Sequence, residues 1–252
     1  MVNNRKIKVL ALINSLAPAG AERLLLEIGQ WINKNRFDFS VCYFEKENTL
    51  SSDFQQLGIK TIGLGINKKY DLKAPFKLYK VLKKEKPDIL HTHLPYSGVL
   101  GRIIGRIAKV PIIISTQHNV ASSFKKILLI LEKFTFPLAN VITCISEGVE
   151  ESFFNSTNIF SSDLLKIGLK HFTIYNGIDI EKIGNIIKNV DPSKKREELG
   201  LKSEDKIVTI VARLIRWKGH LDLISAFSNV VKQEPLAKLL IVGWGEMEKE
   251  LR

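Results

Sequence analysis

Short apolar runs rich in β-branched residues alternate along the chain with segments of helical periodicity. The runs have the length of buried strands, and the segments between them place apolar residues on one helical face, as Leu24, Ile28 and Trp31 do. This alternation predicts an α/β fold with a parallel sheet covered by helices on both faces. The predicted strands are 7–13, 39–44, 60–64, 89–91, 112–116, 141–145 and 172–175, and the predicted helices are 21–33, 75–84, 97–108 and 124–136.

The pattern changes after Tyr175. A turn at 176–179 and a charged stretch at 191–198 precede a second βαβ pattern, with strands 207–212 and 238–242 around a helix at 221–233. Two strands and one helix cannot cover both faces of a sheet, so we expect the second domain to be incomplete. The predicted division is an N-terminal domain at 1–185, a linker region at 186–205 and a C-terminal domain at 206–252.

Composition is that of a soluble globular protein. The 252 residues are 45% hydrophobic and 25% charged, which excludes disordered, collagen-like and coiled-coil classes. The two cysteines, Cys42 and Cys144, lie in apolar strand-like runs, so we expect no disulfide scaffold and a reducing compartment. The apolar run at 9–13 is too short for a signal-peptide core, and no run reaches the length of a membrane span. We therefore expect a cytoplasmic protein.

Much of the net charge of +12 is concentrated in one segment. Between residues 68 and 86, eight lysines stand against Asp71 and Glu85. If a helix begins at Pro75, four lysines lie near the face opposite its apolar residues: Lys73, Lys77, Lys80 and Lys84. This is either a solvated surface helix or a patch that docks on anionic lipid, at about 1 kcal/mol for each basic residue near the membrane. The patch would be extended by Lys125, Lys126 and Lys133.

The sequence pI of about 9.6 also suggests a nucleic-acid binder. The basic residues in the lysine-rich segment are all lysines, with only Phe76 and Tyr79 as aromatic residues in its helix. No helix-turn-helix or RNA-binding signature accompanies them. We therefore expect no nucleic-acid partner.

Two loops follow strands in a way that suits phosphate. Ala19 and Gly20 stand where the first strand leads into a helix, and a helix N-terminus with a small-residue loop lets an anion approach closely; the alternative is a plain turn. The G-x-G-x-x-G fingerprint is absent, which disfavours a nicotinamide or flavin site. In the second loop, Arg213 and Lys218 precede Gly219 and a helix. This arrangement suits the binding of a diphosphate; the alternative is an ordinary solvated loop of a basic protein.

Two histidines at a strand end are the remaining chemical candidates. His91 and His93 flank Thr92, and residues i and i+2 of a strand share a face. No Cys, Asp or Glu cluster accompanies them, so we predict no metal and expect them to line a cleft or cap a loop. Ser146 lacks a Gly-x-Ser-x-Gly elbow, which disfavours a serine hydrolase, and is predicted to cap the next helix.

Seven segments together resemble one family, the family 4 (group 1) retaining glycosyltransferases of GT-B fold, in order and across nearly the whole chain. The segments are AGAER at 19–23, PDILHTH at 87–93, STQHN at 115–119, CISE at 144–147, YNGID at 175–179, VARL with KG at 211–219, and IVGWG at 241–245.

The resemblance implies two Rossmann-like domains with a cleft between them, the first for the acceptor and the second for the nucleotide-sugar donor. Gly20 and Ala19 would face the donor phosphates, although Ala19 replaces the family's first glycine and narrows the approach by a methyl. Arg213 and Lys218 would neutralise the leaving diphosphate, and His118 would contact the transferred sugar. The expected cleft-lining residues are His91, His93, Asn176 and Gly177.

One family element is missing from the sequence. The Glu-x7-Glu segment that holds the sugar hydroxyls and the ribose does not occur, and we do not assign its role to Glu246, Glu248 or Glu250. The leading hypothesis is transfer of a sugar, with retention and without a metal cofactor, from a nucleotide-sugar to a saccharide or lipid-linked acceptor. It implies polysaccharide or glycolipid synthesis at the inner face of a membrane. The alternative is an inactive, truncated binding module or pseudoenzyme that keeps the acceptor domain.

Overall fold

The computed structural model describes residues 5–66 and 71–252. Lys68 and Lys69 of the lysine-rich segment lie outside these residues. The chain divides into two compact units, one through Ile178 and one from Asp179 to Arg252. Each unit is described by itself.

The described residues of the first unit form a seven-stranded sheet, in the order β3-β2-β1-β4-β5-β6-β7, with every neighbouring pair parallel. The strands are β1 (Ile7–Ile13), β2 (Phe37–Glu45), β3 (Lys60–Ile66), β4 (Ile89–His93), β5 (Ile112–Gln117), β6 (Val141–Cys144) and β7 (His171–Thr173). The helices are α1 (Gly20–Trp31), α2 (Ser51–Gln56), α3 (Ala74–Glu85), α4 (Pro95–Ile107), α5 (Lys126–Thr135), α6 (Glu147–Phe154) and α7 (Ser162–Lys166). The Rossmann-like α/β class predicted from the sequence is confirmed.

Helices cover the sheet on both faces, as the alternation predicts. On β1, Leu10 and Leu12 pack into one apolar core with residues of α3, α4 and α6. Ala11 and Ile13, which point to the other face, pack into a second core with residues of α1 and α2. Successive residues of one strand therefore serve two helical layers, which fixes the side of the sheet on which each helix lies.

Ser146 caps α6, as predicted, because its side chain accepts a hydrogen bond from the backbone N–H of Val149. The helices α2 and α7 were not predicted. With six and five residues, they are too short to show a helical repeat of apolar positions.

A buried ion pair joins α4 to α5. Arg102 Nη2 lies 2.8 Å from Glu132 Oε2, and both side chains are fully buried. The same guanidinium donates to Thr135 and to Ser115 of β5, and Gln117 donates to Glu132. Burying two charges is tolerated only when they are paired and hydrogen-bonded in this way. The fully buried residues of α5 are therefore polar, and Leu129 packs against the apolar core beside them.

The second unit contains a parallel pair of strands, β8 (Lys206–Val211) and β9 (Ala237–Val242), with Lys206 paired to Ala237 and Val211 to Val242. Its helices are α8 (Ile180–Lys188), α9 (Pro192–Glu198), α10 (His220–Gln233) and α11 (Glu248–Leu251). The βαβ order predicted from residue 206 onward is confirmed.

The segment 186–205, which we expected as a linker, contributes to the second unit. It contains the end of α8 and all of α9. Together with Ile207, Thr209 and Leu240, it lines an open, mainly apolar cavity of about 430 Å³. The apolar side chains of the segment line this cavity but stay largely exposed, Ile187 at 65% and Ile186 at 57%. Those lining the cavity are Ile186, Ile187, Val190, Leu199 and Leu201.

Candidate active site

A strained turn follows β4 at the carboxyl edge of the sheet. Leu94 has φ 69° and ψ 157°, a region that is almost restricted to glycine and costs about 1–3 kcal/mol for other residues. Such a conformation persists only when its surroundings enforce it. The hydroxyl of Ser97 donates to the carbonyl of His93, and the Ser97 N–H donates to Asn14 Oδ1 at 3.1 Å. Asn14 thereby ties the end of β1 to the first turn of α4.

Three imidazoles meet beside this turn. The ring centroids of His91 and His93 are 4.1 Å apart, and His93 Nδ1 lies 3.1 Å from His118 Nε2. His91 Nε2 lies 2.7 Å from Thr116 Oγ1, which in turn lies 2.7 Å from Thr143 Oγ1. We call His91, His93 and His118 the histidine cluster. The structure therefore brings together the three histidines that the sequence singled out.

Burial keeps the histidine cluster uncharged. Desolvation lowers the pKa of His118 to about 4, and desolvation together with the neighbouring His118 lowers the pKa of His91 to about 4. Burial, with both neighbouring rings adding to it, holds the pKa of His93 well below 6.5. At neutral pH the cluster therefore offers neutral hydrogen-bond donors and acceptors, and no positive charge.

His93 is the most enclosed member of the histidine cluster. It is 1% exposed, and its Nε2 atom is buried without a hydrogen-bond partner. Its other ring nitrogen is used by His118. In the described residues, no group of three or more His, Cys, Asp and Glu side chains is placed to hold a metal ion.

The N-terminus of α1 opens to solvent. Ala19 occupies the N-cap position in an extended conformation, with no side-chain cap. A Cβ atom built at Gly20 would meet nothing within 4 Å. Packing therefore does not require glycine at this position, and open space lies where a side chain would stand. That space is what an approaching anion needs.

Asn176 and Gly177 lie at the far end of the same edge. They are exposed in the irregular segment after β7, and the sheet order places β7 two strands beyond β5. At about 4.8 Å for each strand, this is roughly 10 Å along the edge from the end of β5. They belong to the rim of the edge and do not contact the histidine cluster through any described hydrogen bond.

Arg213 and Lys218 lie in the loop after β8. Both side chains are exposed, and among the described residues neither forms a side-chain hydrogen bond or an ion pair. A 3-10 turn at Arg216–Lys218 ends at Gly219, whose φ of 71° suits glycine, and α10 follows. The two cations are therefore available to a ligand of the second unit.

The turn after β9 fixes this loop. The N–H of Leu214 donates to the Trp244 carbonyl at 2.8 Å, and the N–H of Met247 donates to the Leu214 carbonyl at 3.0 Å. A Cβ atom at Gly243 or Gly245 would collide with the backbone of residues 212–214. The Gly-x-Gly turn thus allows the close approach that holds the Arg213 loop in place.

Sequence reasoning missed Asn14, Leu94 and Thr116. Asn14 directly follows a predicted strand, so its position was a usable signal. Thr116 stands in a strand where threonine is common, and nothing local distinguishes it. Leu94 gave no signal, because leucine is a residue type that rarely adopts its conformation.

Solved structures share the fold. One is the crystal structure of Anabaena Alr3699/HepE in complex with UDP and glucose (TM-score 0.75, 21% identity), and the match covers 97% of this chain and 63% of the neighbour. UDP-GlcNAc 2-epimerase from Neisseria meningitidis bound to UDP-GlcNAc (TM-score 0.60, 17% identity) covers 93% of this chain and 65% of the neighbour. These likenesses show the fold that the chain shares with them.

Curated relatives are similar over most of the chain. A UDP-Gal:alpha-D-GlcNAc-diphosphoundecaprenol alpha-1,3-galactosyltransferase of Escherichia coli is 30% identical over 245 residues, 93% of this chain and 61% of the relative. The capsular polysaccharide biosynthesis glycosyltransferase CapH of Staphylococcus aureus is 28% identical over 90% of this chain and 59% of the relative. The chain thus spans about three fifths of the length of these relatives.

Two family models match consecutive parts of the chain. The model for Glycosyltransferase Family 4 matches residues 18–182, and the model for Glycosyl transferases group 1 matches residues 191–252. The first match alone covers more than half of the chain, and the resemblance predicted from the sequence is confirmed. The protein belongs to the family 4 glycosyltransferases of group 1.

Proposed function

We propose that this protein takes part in transferring a sugar from a nucleotide-sugar to a saccharide or lipid-linked acceptor, in polysaccharide or glycolipid synthesis. The observation that carries the proposal is the pair of consecutive family matches, which together span residues 18–182 and 191–252. The name of the E. coli relative gives UDP-Gal as donor and a diphosphoundecaprenol-linked sugar as acceptor. Two solved neighbours hold UDP with glucose and UDP-GlcNAc.

The histidine cluster suits contact with a sugar. Because the pKa values of His91 and His118 lie at about 4, both rings are neutral and offer directional hydrogen bonds to hydroxyl groups. A protonated imidazole there would instead attract the phosphates. His118 contacts the transferred sugar, and the buried His93 holds the His118 ring in position. His91, Asn176 and Gly177 line the same edge.

The cations Arg213 and Lys218 stabilise the leaving diphosphate. Arg213 and Lys218 have no partner in the described structure and stand on a loop held rigid by the Gly243 turn. Guanidinium pairs with two phosphate oxygens and ammonium supplies a point charge. Fixed cations at the site of developing charge are effective electrostatic catalysts. The open N-terminus of α1 at Gly20, next to Ala19, faces the donor phosphates.

The proposed reaction proceeds with retention of the anomeric configuration. The bond between the anomeric carbon and the phosphate oxygen breaks, and its electron pair leaves with the nucleoside diphosphate. The acceptor oxygen bonds to the same face of the anomeric carbon, and its proton passes to a phosphate oxygen. Arg213 and Lys218 neutralise the departing charge, so the proposal includes no metal and no cofactor besides the nucleotide-sugar.

A lipid-linked acceptor would require contact with an anionic membrane surface, at the inner face of a cytoplasmic membrane. Of the four lysines predicted on one face of α3, Lys73, Lys80 and Lys84 are exposed. The fourth, Lys77, is partly buried, and its ammonium donates to the Leu64 carbonyl of β3 at 2.7 Å. No helix in the described part of the chain is both long and apolar enough to span a membrane.

The alternative proposal is a binding module that keeps the acceptor side and does not turn over. Incubation with UDP-sugars and GDP-sugars, with and without diphosphoundecaprenol-linked GlcNAc, separates the two by nucleoside diphosphate release. Release that falls in the Lys218→Ala variant, but not in the matched Lys188→Ala variant, supports the transferase. Acceptor binding without release by any donor supports the module, and failure to bind either substrate contradicts both.

A further inference from the structure

The helix α5 exposes its apolar residues. Phe134 is 81% exposed, Ile127 65% and Ile130 54%, and Leu131 is exposed as well. Their spacing of i, i+3, i+4 and i+7 places them on one side of the helix. Single exposed apolar residues are ordinary, but four adjacent ones on one helical face mark a surface that contacts something.

This orientation is enforced by the inner face of α5. Glu132 and Thr135 are buried there, and both bind the fully buried Arg102 of α4. Turning the apolar side inward would expose or unpair this network, which the fold cannot do cheaply. The apolar stripe is therefore a fixed feature of the folded surface.

Every exposed charged side chain of α5 and of its N-cap residue is a lysine. Lys125, Lys126 and Lys133 are exposed at and beside the stripe. The one acidic residue of α5 is Glu132, which is buried and paired with Arg102. The outward surface of α5 therefore combines four apolar side chains with three lysines and no carboxylate.

We propose that the outward face of α5 binds an anionic lipid surface, with Phe134 and its apolar neighbours entering the boundary between headgroups and acyl chains. An apolar face bordered by lysines is the pattern of interfacial membrane helices, and the lysines match anionic headgroups. A nucleic acid would leave the apolar stripe unused, and an ordinary protein interface is depleted in lysine. This inference deepens the proposed function and rests on it, because a lipid-linked acceptor requires such a surface.

The neighbouring helix layer extends the surface. The helix α4 packs against both α3 and α5, so the exposed Lys73, Lys80 and Lys84 of α3 stand in the same layer. In this arrangement the apolar face of α5 inserts into the membrane surface, and the lysines of α3 add long-range attraction to its anionic headgroups. The membrane patch predicted on α3 is therefore the edge of the contact, and its centre is α5.

A site-specific probe tests the insertion. The two cysteines of the chain are both fully buried, so the Phe134→Cys variant carries one accessible thiol for an environment-sensitive fluorophore. The matched control is Trp31→Cys, at a residue 67% exposed on α1, which packs on the opposite face of the sheet. With phosphatidylglycerol vesicles we expect a blue shift at position 134 alone, reduced by salt and absent with phosphatidylcholine vesicles.

Equal shifts at both positions, no shift at position 134, or an equal shift with neutral vesicles would overturn the proposal. A second pair of variants measures affinity by vesicle cosedimentation. Ile130→Ser combined with Phe134→Ser is expected to weaken binding about tenfold, while Trp31→Ser leaves it unchanged. Unchanged binding in the double variant, or binding of DNA in place of vesicles, contradicts the inference.

Vesicle binding is measured without sugar transfer, so the two proposals fail separately. Nucleoside diphosphate release without vesicle binding overturns the role of α5 alone. Vesicle binding through α5 without release by any donor overturns the proposed transfer alone.

Discussion

His93 Nδ1 lies 3.1 Å from His118 Nε2, which joins the end of β4 to the loop after β5. His93 is buried and its other nitrogen has no partner, so its ring is positioned by packing and by this one bond. The position of the half-buried His118 ring depends in turn on the same hydrogen bond to His93. In the proposed reaction His93 is a positioning residue, and His118 is the one that touches the sugar.

Removing the His93 side chain should expose His118 to water and raise its pKa. The His93→Ala variant opens space for water beside His118, and because burial is what lowers the pKa of His118 to about 4, we expect that pKa to rise toward 6.5. An NMR titration of the His118 ring protons measures it. The matched variant His171→Ala, on β7, should leave the titration of His118 unchanged. A pKa that stays near 4 in His93→Ala would show that His93 does not enclose His118.

The histidine cluster should also make stability depend on pH. The folded pKa values of His91 and His118, about 4, lie below the unfolded value near 6.5. The unfolded state therefore binds more protons between these values, so the free energy of unfolding falls as pH drops from 6.5 toward 4. We expect a loss on the order of 3 kcal/mol for each of these two histidines, measured by urea unfolding. His118→Gln should reduce this loss, and an unchanged slope would contradict the assignment.

The Arg102–Glu132 pair should be costly to break. Glu132→Gln leaves the buried guanidinium without its counter-charge, so we expect the first unit to lose about 3–5 kcal/mol of unfolding free energy. Glu198→Gln, which breaks the exposed Lys195–Glu198 pair, should cost at most about 1 kcal/mol. Chemical unfolding of both variants provides the comparison. Equal effects would mean that the buried pair is not needed to orient α5.

Two glycines should respond differently to alanine. Gly243→Ala forces a Cβ into the Ala212 carbonyl, at a positive φ, so we expect a loss of more than about 1 kcal/mol and displacement of the Arg213 loop. Gly20→Ala meets nothing within 4 Å, so its unfolding midpoint should stay unchanged while nucleoside diphosphate binding weakens. Thermal unfolding and calorimetric titration separate the two effects. Unchanged binding in Gly20→Ala would remove the α1 terminus from the phosphate site.

Hydrophobic periodicity predicts the order of strands and helices, because each element must bury an apolar face against the sheet and shows this in its own local sequence. All seven strands of the first unit were predicted, with ends displaced by up to two residues, as fraying and differing definitions allow. The parallel order also explains why His91, His93 and His118 meet, since carboxyl ends of neighbouring strands share one edge.

What periodicity misses depends on partners distant in sequence. Periodicity predicts a helix at 124–136, but it does not indicate that Glu132 is buried there beside Arg102, 30 residues away. The ammonium of Lys77 donates a hydrogen bond to the Leu64 carbonyl of β3. Neither contact has a local signature.

The proposed transfer depends most on Arg213 and Lys218. Calorimetric titration of the protein with UDP and GDP measures their role directly, in the original sequence and in the Arg213→Ala, Lys218→Ala and Lys188→Ala variants. Since a hydrogen bond to a charged group contributes about 1.5–3 kcal/mol, we expect affinity to fall at least about tenfold in each of the first two variants. Lys188→Ala should bind like the original sequence. Equal affinity in all four proteins would contradict the proposal that Arg213 and Lys218 bind the diphosphate.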